Sequence, residues 1–170
     1  MKVTGVHVLL INSDNKFLLT QRKDVPLWVI PGGTVEKNED PKKACERELF
    51  EETRVKAGRL ILAAKYKVNN GVYKNLYIMR VPEFNIDVFI DKKEVKSYGW
   101  FTIENLPSPM SLYEISRVYD AVNFKGKMIE RALSVNIKKE FLNQLKNPFI
   151  FLLLLASFVI NRLTNKSFKL

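Results

Sequence analysis

Three glutamates, Glu48, Glu51 and Glu52, have the spacing that places side chains on one face of a helix. Three negative charges this close together destabilise a helix or raise a carboxyl pKa. A hard divalent cation such as Mg²⁺ relieves the repulsion, because it prefers oxygen ligands. The three glutamates therefore indicate either a metal site or a solvated acidic face, and their spacing alone does not decide between the two.

The residues around these glutamates follow a longer pattern. Five residues separate Gly33 from Glu39, seven more separate Glu39 from Arg47, and Arg47–Val55 reads Arg-Glu-Leu-Phe-Glu-Glu-Thr-Arg-Val. The pattern resembles the Nudix box, which has glycine, five residues, glutamate, seven residues and then Arg-Glu-aliphatic-x-Glu-Glu-x-Gly-aliphatic. Arg54 is the departure, because the family has glycine there. Glycine suits the left-handed end of a helix, so arginine predicts either a reshaped end or a cost of about 1 kcal/mol.

Two further stretches carry the resemblance beyond the box. Trp28–Gly33 resembles the usual lead-in, and Glu94–Trp100 resembles a later segment in which a loop glutamate precedes a tryptophan strand. The similarity covers roughly residues 3–122. It implies a mixed β-sheet flanked by helices, arranged as an α/β/α sandwich.

The resemblance also implies a reaction and a cofactor. Glu48, Glu51 and Glu52, with the Gly33 carbonyl oxygen, would hold Mg²⁺ or Mn²⁺. A bound metal neutralises phosphate charge and lowers the pKa of bound water. The implied activity is hydrolysis of a phosphoanhydride bond in a nucleoside triphosphate, or in a nucleoside diphosphate linked to another group. The expected partner is thus a small nucleotide or nucleotide derivative.

Further residues receive roles from the resemblance. Glu52 or Glu94 is the expected general base, and the sequence leaves the choice open, since Glu94 is equally a solvated loop charge. Arg47 is expected to orient the carboxylates by pairing with Glu39, and a surface ion pair is the plainer interpretation. Arg22 ends a predicted strand, where it either grips a phosphate bidentately or is solvated.

Two other functions remain open on the sequence. A non-catalytic nucleotide sensor would keep the fold without the chemistry, and Arg54 favours it, whereas the intact Glu48, Glu51 and Glu52 favour an enzyme. An RNA 5′-end pyrophosphohydrolase is the second alternative. Residues 1–123 carry 19 Lys and Arg against 16 Asp and Glu, a net charge of +3. This low charge argues weakly against a specific nucleic-acid partner.

The elements that must position these residues follow from local patterns. Runs of β-formers predict strands, and Asp40-Pro41 and a second apolar period predict helices. The predicted strands are Val3–Ile11, Phe17–Arg22, Leu60–Val68, Val72–Val81 and Tyr98–Thr102, and the predicted helices are Pro41–Thr53 and Ser111–Val122. The first two strands flank a polar turn and are predicted to pair, and Pro31-Gly32-Gly33 is predicted to break structure. Without a regular βαβ rhythm, the class is α+β.

The last part of the chain has a different composition. Residues 124–170 carry 9 Lys and Arg against 2 Asp and Glu, so we predict a Nudix domain over 1–123 and a basic helical tail over 124–170. Apolar residues every four positions between Met128 and Leu145 predict an amphipathic helix, and the uncharged run Phe149–Ile160 follows. The tail would bind an anionic membrane surface, form a homodimer or pack on the domain. The single cysteine, Cys45, fits a reducing, cytoplasmic compartment.

Overall fold

A computed structural model describes residues 3–68, 73–82, 84, 87–90, 92, 94–133, 137–145, 147–150 and 152. The elements over these residues alternate irregularly between strands and helices, and most predicted elements are confirmed to within three residues. In chain order they are β1 (Val3–Leu10), β2 (Phe17–Arg22), β3 (Trp28–Val29), β4 (Gly32–Thr34), α1 (Pro41–Thr53), β5 (Ile61–Val68), β6 (Tyr73–Val81), β7 (Val95–Phe101), α2 (Leu112–Val122), β8 (Ile129–Leu133) and α3 (Ile137–Gln144).

The strands form two sheets. One has five strands in the order β4-β1-β6-β5-β8, and the other has three in the order β3-β2-β7. The pairs β1·β6 and β5·β8 are parallel, and the other pairs are antiparallel. Because α1 and α2 pack on the mixed five-stranded sheet, the fold is α+β with a mixed sheet flanked by helices, as predicted.

The predicted pairing of the first two strands is wrong. β1 pairs with β4 and β6, β2 pairs with β3 and β7, and a single bridge between Ile11 and Phe17 joins the two sheets. The reason is that β1 is apolar on both faces. Val8 lies in the core that includes α1, and Leu9 lies in the core that includes α2. A strand buried on both faces takes a central position in a sheet rather than half of an exposed hairpin.

Two of the short strands surround the segment predicted as a breaker. Strand β3 ends before Pro31. The next strand, Gly32–Thr34, pairs with β1, with Gly32 opposite His7 and Gly33 opposite Val6. The predicted break occurs at Ile30 and Pro31, between β3 and β4, but the prediction is wrong at Gly32 and Gly33, which belong to β4. Glycine is tolerated in the strand because it allows one backbone to approach another closely.

The predicted helix over Met128–Leu145 is wrong in its first part. Ile129–Leu133 is a strand in parallel register with β5, beyond the division at residue 123 that the charge pattern suggested. Residues four apart share a face in a strand as well as in a helix, so Ile129 and Leu133 satisfied both periods. Burial of Leu133 in the main core and pairing with the edge of β5 favour the strand.

The helical prediction holds further along, in α3. Glu140 accepts hydrogen bonds from the backbone N–H groups of Leu112 and Tyr113, at 3.0 and 2.9 Å, and so caps the start of α2. Ile150 is buried against Val25 and Leu27. Most of the predicted apolar run 149–160 lies outside the described residues. Within the described part of the chain, no helix is both long enough and apolar enough to cross a membrane.

Candidate active site

Helix α1 carries the three glutamates and has well-defined ends. The Asp40 side chain accepts hydrogen bonds from the N–H groups of Lys42 and Lys43, and Pro41 occupies the first turn. At the other end Arg54 adopts the left-handed conformation, with φ 58° and ψ 13°, and its N–H donates to the Phe50 carbonyl at 2.9 Å. The helix end is therefore not reshaped. Arginine takes the backbone conformation in which glycine would be less strained.

Strand β4 lies directly against this helix. The Thr34 N–H donates to Glu48 Oε1 at 3.0 Å. A Cβ atom on Gly33 would collide with the Glu48 carboxylate, and one on Gly32, whose φ is +152°, would collide with the Val6 carbonyl oxygen. Both glycines are thus required for the close approach of this backbone to α1 and to β1.

Arg47 links the loop to the helix. Its Nε and Nη2 donate to the two carboxylate oxygens of Glu39, at 2.9 and 2.8 Å, and Nη2 also donates to the Thr34 carbonyl at 2.9 Å. Its Nη1 donates to Glu48 Oε1 at 3.0 Å and to Glu51 Oε2 at 3.4 Å. The hydrogen bonds from Arg47 lower the pKa of Glu39 to about 2. The predicted pairing of Arg47 with Glu39 is confirmed.

Glu52 has the most unusual environment of the three glutamates. Among the residues that the structure describes, its buried Oε2 atom has no hydrogen-bond partner. Burial, followed by the negative charges of Glu48 and Glu94, raises the pKa of Glu52 to about 8, against the opposing effects of the Gly32 N–H and the Arg22 guanidinium. A positive charge beside this oxygen would restore the ionised form.

Glu94 and Arg22 reach the same neighbourhood from distant parts of the chain. The Lys23 N–H donates to the Glu94 carbonyl at 3.0 Å, which holds the end of β2 beside the start of β7. The Glu94 residue is exposed, whereas Arg22 is half-buried and its Nε donates to Asp24 Oδ1 at 2.9 Å. The fold therefore brings Glu94 and Arg22 within electrostatic range of Glu52.

The donor set suits a hard divalent cation. Carboxylate oxygens are the ligands that Mg²⁺ and Mn²⁺ prefer. A buried polar atom normally has a partner, so a cation bound at Glu52 Oε2 would satisfy an atom that has no hydrogen bond among the described residues. Over the described ranges, no three acidic, imidazole or thiol side chains lie in a ready-made metal cluster. Arg47 instead engages oxygens of Glu48 and Glu51. The residues fit the cation in type, on one helix face.

Three buried polar residues near the Ile30 peptide were not predicted from the sequence. His7, Glu114 and Arg117 are buried polar residues, and two of them bond the Ile30 peptide. The signal available was a Glu–Arg pair, three positions apart, on the otherwise apolar face of α2.

Comparison with known proteins shows the family of the chain. A family model described as NUDIX domain matches residues 1–121. An RNA pyrophosphohydrolase from Pelagibacter ubique (strain HTCC1062) is 30% identical over 145 residues, 74% of this chain and 91% of the relative. A Bacillus subtilis (strain 168) protein, whose name proposes 8-oxo-dGTP diphosphatase activity, is 42% identical over 74 residues, 44% of this chain and 45% of the relative. The chain thus spans less than half the length of this second relative.

Among solved structures, a MutT NUDIX hydrolase from Burkholderia pseudomallei has a TM-score of 0.62 at 24% identity, over 73% of this chain and 98% of that one. At this identity the likeness concerns the fold. The residues matched by the family model contain the Arg47 cluster, Glu52, Glu94 and Arg22, and end before β8.

Proposed function

The chain belongs to the NUDIX family of hydrolases, and from that premise we propose that it cleaves a phosphoanhydride bond with the help of Mg²⁺ or Mn²⁺. The substrate class is a nucleoside triphosphate, or a nucleoside diphosphate linked to another group. The observation that carries the proposal is the Glu52 oxygen, buried without a donor among the described residues, on the same helix face as Glu48 and beside the Gly32 N–H.

Each residue of the site receives a role in this proposal. Glu48, Glu51 and Glu52, with the Gly33 carbonyl, would hold the cation, which supplies charge neutralisation and a bound water of lowered pKa. Arg47 keeps the Glu48 carboxylate in place through its contacts with both Glu39 and Thr34.

The proton and the phosphate need further groups. We assign proton removal to Glu94, because it is the exposed carboxylate near Glu52 and is not committed to α1. Glu52 takes this role instead if Glu94→Gln keeps full turnover. Arg22 is proposed to bind a substrate phosphate through its planar guanidinium, exchanging Asp24 for the phosphate oxygens.

The decisive experiment is a substrate panel with matched variants. Nucleoside triphosphates including 8-oxo-dGTP, nucleotide sugars, dinucleoside polyphosphates and ADP-ribose would be assayed for released phosphate or nucleoside monophosphate. Glu52→Gln is expected to reduce kcat by about 100-fold or more, the effect of losing a ligand or base. Glu46→Gln, an exposed glutamate of the same helix, is the control and should keep wild-type turnover. Full activity of Glu52→Gln, or of wild type in excess EDTA, contradicts the proposal.

RNA carrying a 5′-triphosphate is the second candidate substrate. It is favoured by the Pelagibacter ubique relative, whose name is RNA pyrophosphohydrolase and which matches over most of both chains. A triphosphorylated oligonucleotide assayed beside GTP separates the two, because an RNA enzyme should give the higher kcat/KM on the oligonucleotide. A protein that binds one of these ligands without turnover would instead be a sensor.

A further inference from the structure

The peptide of Ile30 is held from both sides by buried polar side chains. Its N–H donates to Glu114 Oε1 at 2.8 Å, and its carbonyl oxygen accepts from His7 Nδ1 at 3.1 Å. His7 comes from β1 and Glu114 from α2, and all three residues are buried. Because a buried backbone group without a partner is costly, these two side chains fix where the Ile30 peptide can lie.

Glu114 is itself held in place by a second buried charge. Arg117 forms an ion pair with it one turn later on α2, and each residue is only 2% exposed. The Arg117 guanidinium also lies over the Tyr113 ring, 4.3 Å from its centroid. A buried ion pair contributes little net stability, since each ion loses its hydration, and apolar replacements of both partners are often neutral or stabilising. Stability alone therefore does not account for this pair.

The Ile30 peptide lies immediately before the loop of the active site. The next residue, Pro31, accepts a hydrogen bond from the Val8 N–H at 2.8 Å, and Gly32 then pairs opposite His7. The Gly32 N–H donates a hydrogen bond to the Glu52 carboxylate, and the Thr34 N–H donates one to Glu48 Oε1. Only Pro31 thus lies between Ile30, whose N–H contacts Glu114, and Gly32, whose N–H contacts Glu52.

We propose that Glu114, with its carboxylate fixed by Arg117, is a positioning residue for the reaction. It anchors Ile30 so that the Gly32–Gly33 backbone keeps the distance to Glu48 and Glu52 that the reaction requires. The kinetic part of this inference rests on the proposed hydrolase function. The structural part, that the acceptor on Glu114 orders the loop, does not.

Two double variants isolate the acceptor from the buried charges. Glu114→Leu with Arg117→Met removes the ion pair and the acceptor together, and should fold because both replacements are apolar. Glu114→Gln with Arg117→Met removes the same charges but keeps an amide oxygen for the Ile30 N–H. Asp120→Asn is the control on α2, because Asp120 bonds Tyr66 and Arg131 on the side of β5 and β8.

Kinetics with GTP and Mg²⁺, or with the best substrate of the panel, and amide hydrogen exchange supply the measurements. The Glu114→Leu/Arg117→Met variant should lose about 10- to 100-fold in kcat, with KM nearly unchanged, because the loop backbone is misplaced while substrate binding is kept. Its Ile30 and Gly32 amides should exchange faster than in wild type. The Glu114→Gln/Arg117→Met variant should recover most of the lost kcat and of the lost exchange protection. Asp120→Asn should keep wild-type kcat and wild-type exchange at these amides.

Several outcomes overturn the proposal. These are equal kcat in the two double variants, a change confined to KM, or exchange at Ile30 as slow as in wild type in the Glu114→Leu/Arg117→Met variant. If either double variant fails to fold, Glu114→Leu alone, which lacks the acceptor, is compared with Glu114→Gln alone, which keeps it, and equal kcat with equal Ile30 exchange in these two variants rejects the role. If the wild-type protein hydrolyses no substrate of the panel, the proposed function fails, and the exchange rates still decide whether Glu114 orders the loop.

Discussion

At the scale of single residues, the site combines charges that would repel each other in an open structure. Arg47 offsets part of this repulsion by bonding Glu39, Glu48 and Glu51, whereas the buried Oε2 atom of Glu52 has no hydrogen-bond partner among the described residues. Glycine at positions 32 and 33 then allows the backbone to approach where side chains could not. The arrangement of these carboxylates therefore depends on Arg47 and on the two glycines.

His7 gives a prediction for the dependence of stability on pH. Burial, then the positive charges of Arg117 and Arg22, hold the pKa of His7 well below 6.5, although its bond to Ile30 opposes the shift. The unfolded chain takes up this proton near pH 6.5 and the folded chain does not. The contribution to stability is therefore present above pH 6.5 and is lost as pH falls, at up to about 1.4 kcal/mol per pH unit.

The measurement is urea unfolding at pH 7.5 and 5.5 for wild type and for His7→Phe, which keeps a ring but does not titrate. Loss of the bond to Ile30 lowers the stability of the variant equally at both pH values. Wild type should lose about 1.4 kcal/mol more than the variant between them. Parallel pH slopes for the two proteins would show that His7 is not the titrating group.

At the scale of elements, α1 shows how one position can depart from a family pattern without loss of the element. Arg54 keeps the left-handed backbone, and its guanidinium lies 5.7 Å from the centroid of the Phe50 ring. That cation–π contact offsets part of the conformational cost. The glutamate face of α1 is unaffected, because Phe50 and Arg54 do not belong to it.

Arg54→Gly is expected to raise the free energy of unfolding by about 0.5 kcal/mol. Relief of left-handed strain exceeds the added flexibility of glycine in the unfolded chain and the lost ring contact. Arg54→Ala, which keeps the strain and loses the contact, should be less stable than wild type. Chemical denaturation of the three proteins measures this order, and a glycine variant less stable than the alanine variant contradicts it. Turnover should be the same in all three.

At the scale of the whole molecule, the C-terminal part of the chain is tied to the domain at several points. β8 pairs with the edge of β5, Leu133 enters the core, and Glu140 caps α2. Gln144 Nε2 also donates to the Met110 carbonyl at 3.1 Å. These contacts begin only after residue 123, where the change in charge occurs.

Ending the chain after Asn123 is therefore expected to lower the free energy of unfolding by at least about 3 kcal/mol. One buried leucine contributes roughly 2 kcal/mol, and the strand edge and the α2 cap add to it. Ending the chain after Leu152 keeps β8 and α3 and should preserve both stability and turnover. Thermal and urea unfolding of the two truncations test this. A shorter chain as stable and active as full-length protein would establish residues 1–123 as the complete domain.

The outer side of the same region leads to a prediction about membranes. Leu142, Leu145, Phe149 and Leu152 are 51–68% exposed, and residues 124–170 carry a net charge of +7. We predict that these four exposed side chains, which we name the apolar face, bind an anionic lipid surface. Co-sedimentation should succeed with phosphatidylcholine vesicles containing phosphatidylserine and fail without it, and should weaken with salt.

Leu145→Glu with Phe149→Glu should abolish vesicle binding while leaving turnover unchanged. Asp87→Glu, on an exposed loop outside this face, is the control. Light scattering on the same samples tests whether the apolar face instead forms a homodimer. A dimer that dissociates in the double variant, together with no binding to vesicles, would assign the apolar face to a homodimer instead.

The sequence determined those features that depend on neighbours along the chain. The spacing of Glu48, Glu51 and Glu52 on one helix, the Asp40 cap and the alternation within most strands follow from backbone periods of 3.6 and 2 residues. The partner of Arg47 was also readable, because Glu39 belongs to the same motif. These local patterns were enough for the α+β class, for α1 and for the placement of three carboxylates on one face of that helix.

Tertiary structure alone decided which segments meet. The partners of β1, the strand at Ile129–Leu133 and the burial of Glu114 beneath the Ile30 peptide depend on packing between segments distant in sequence. The same holds for Glu52, whose pKa reflects burial and the charges of Glu94 and Arg22, brought together by β2 and β7. Residues four apart fit either a helix or a strand, so only the free edge of β5 and the core around Leu133 could select the strand.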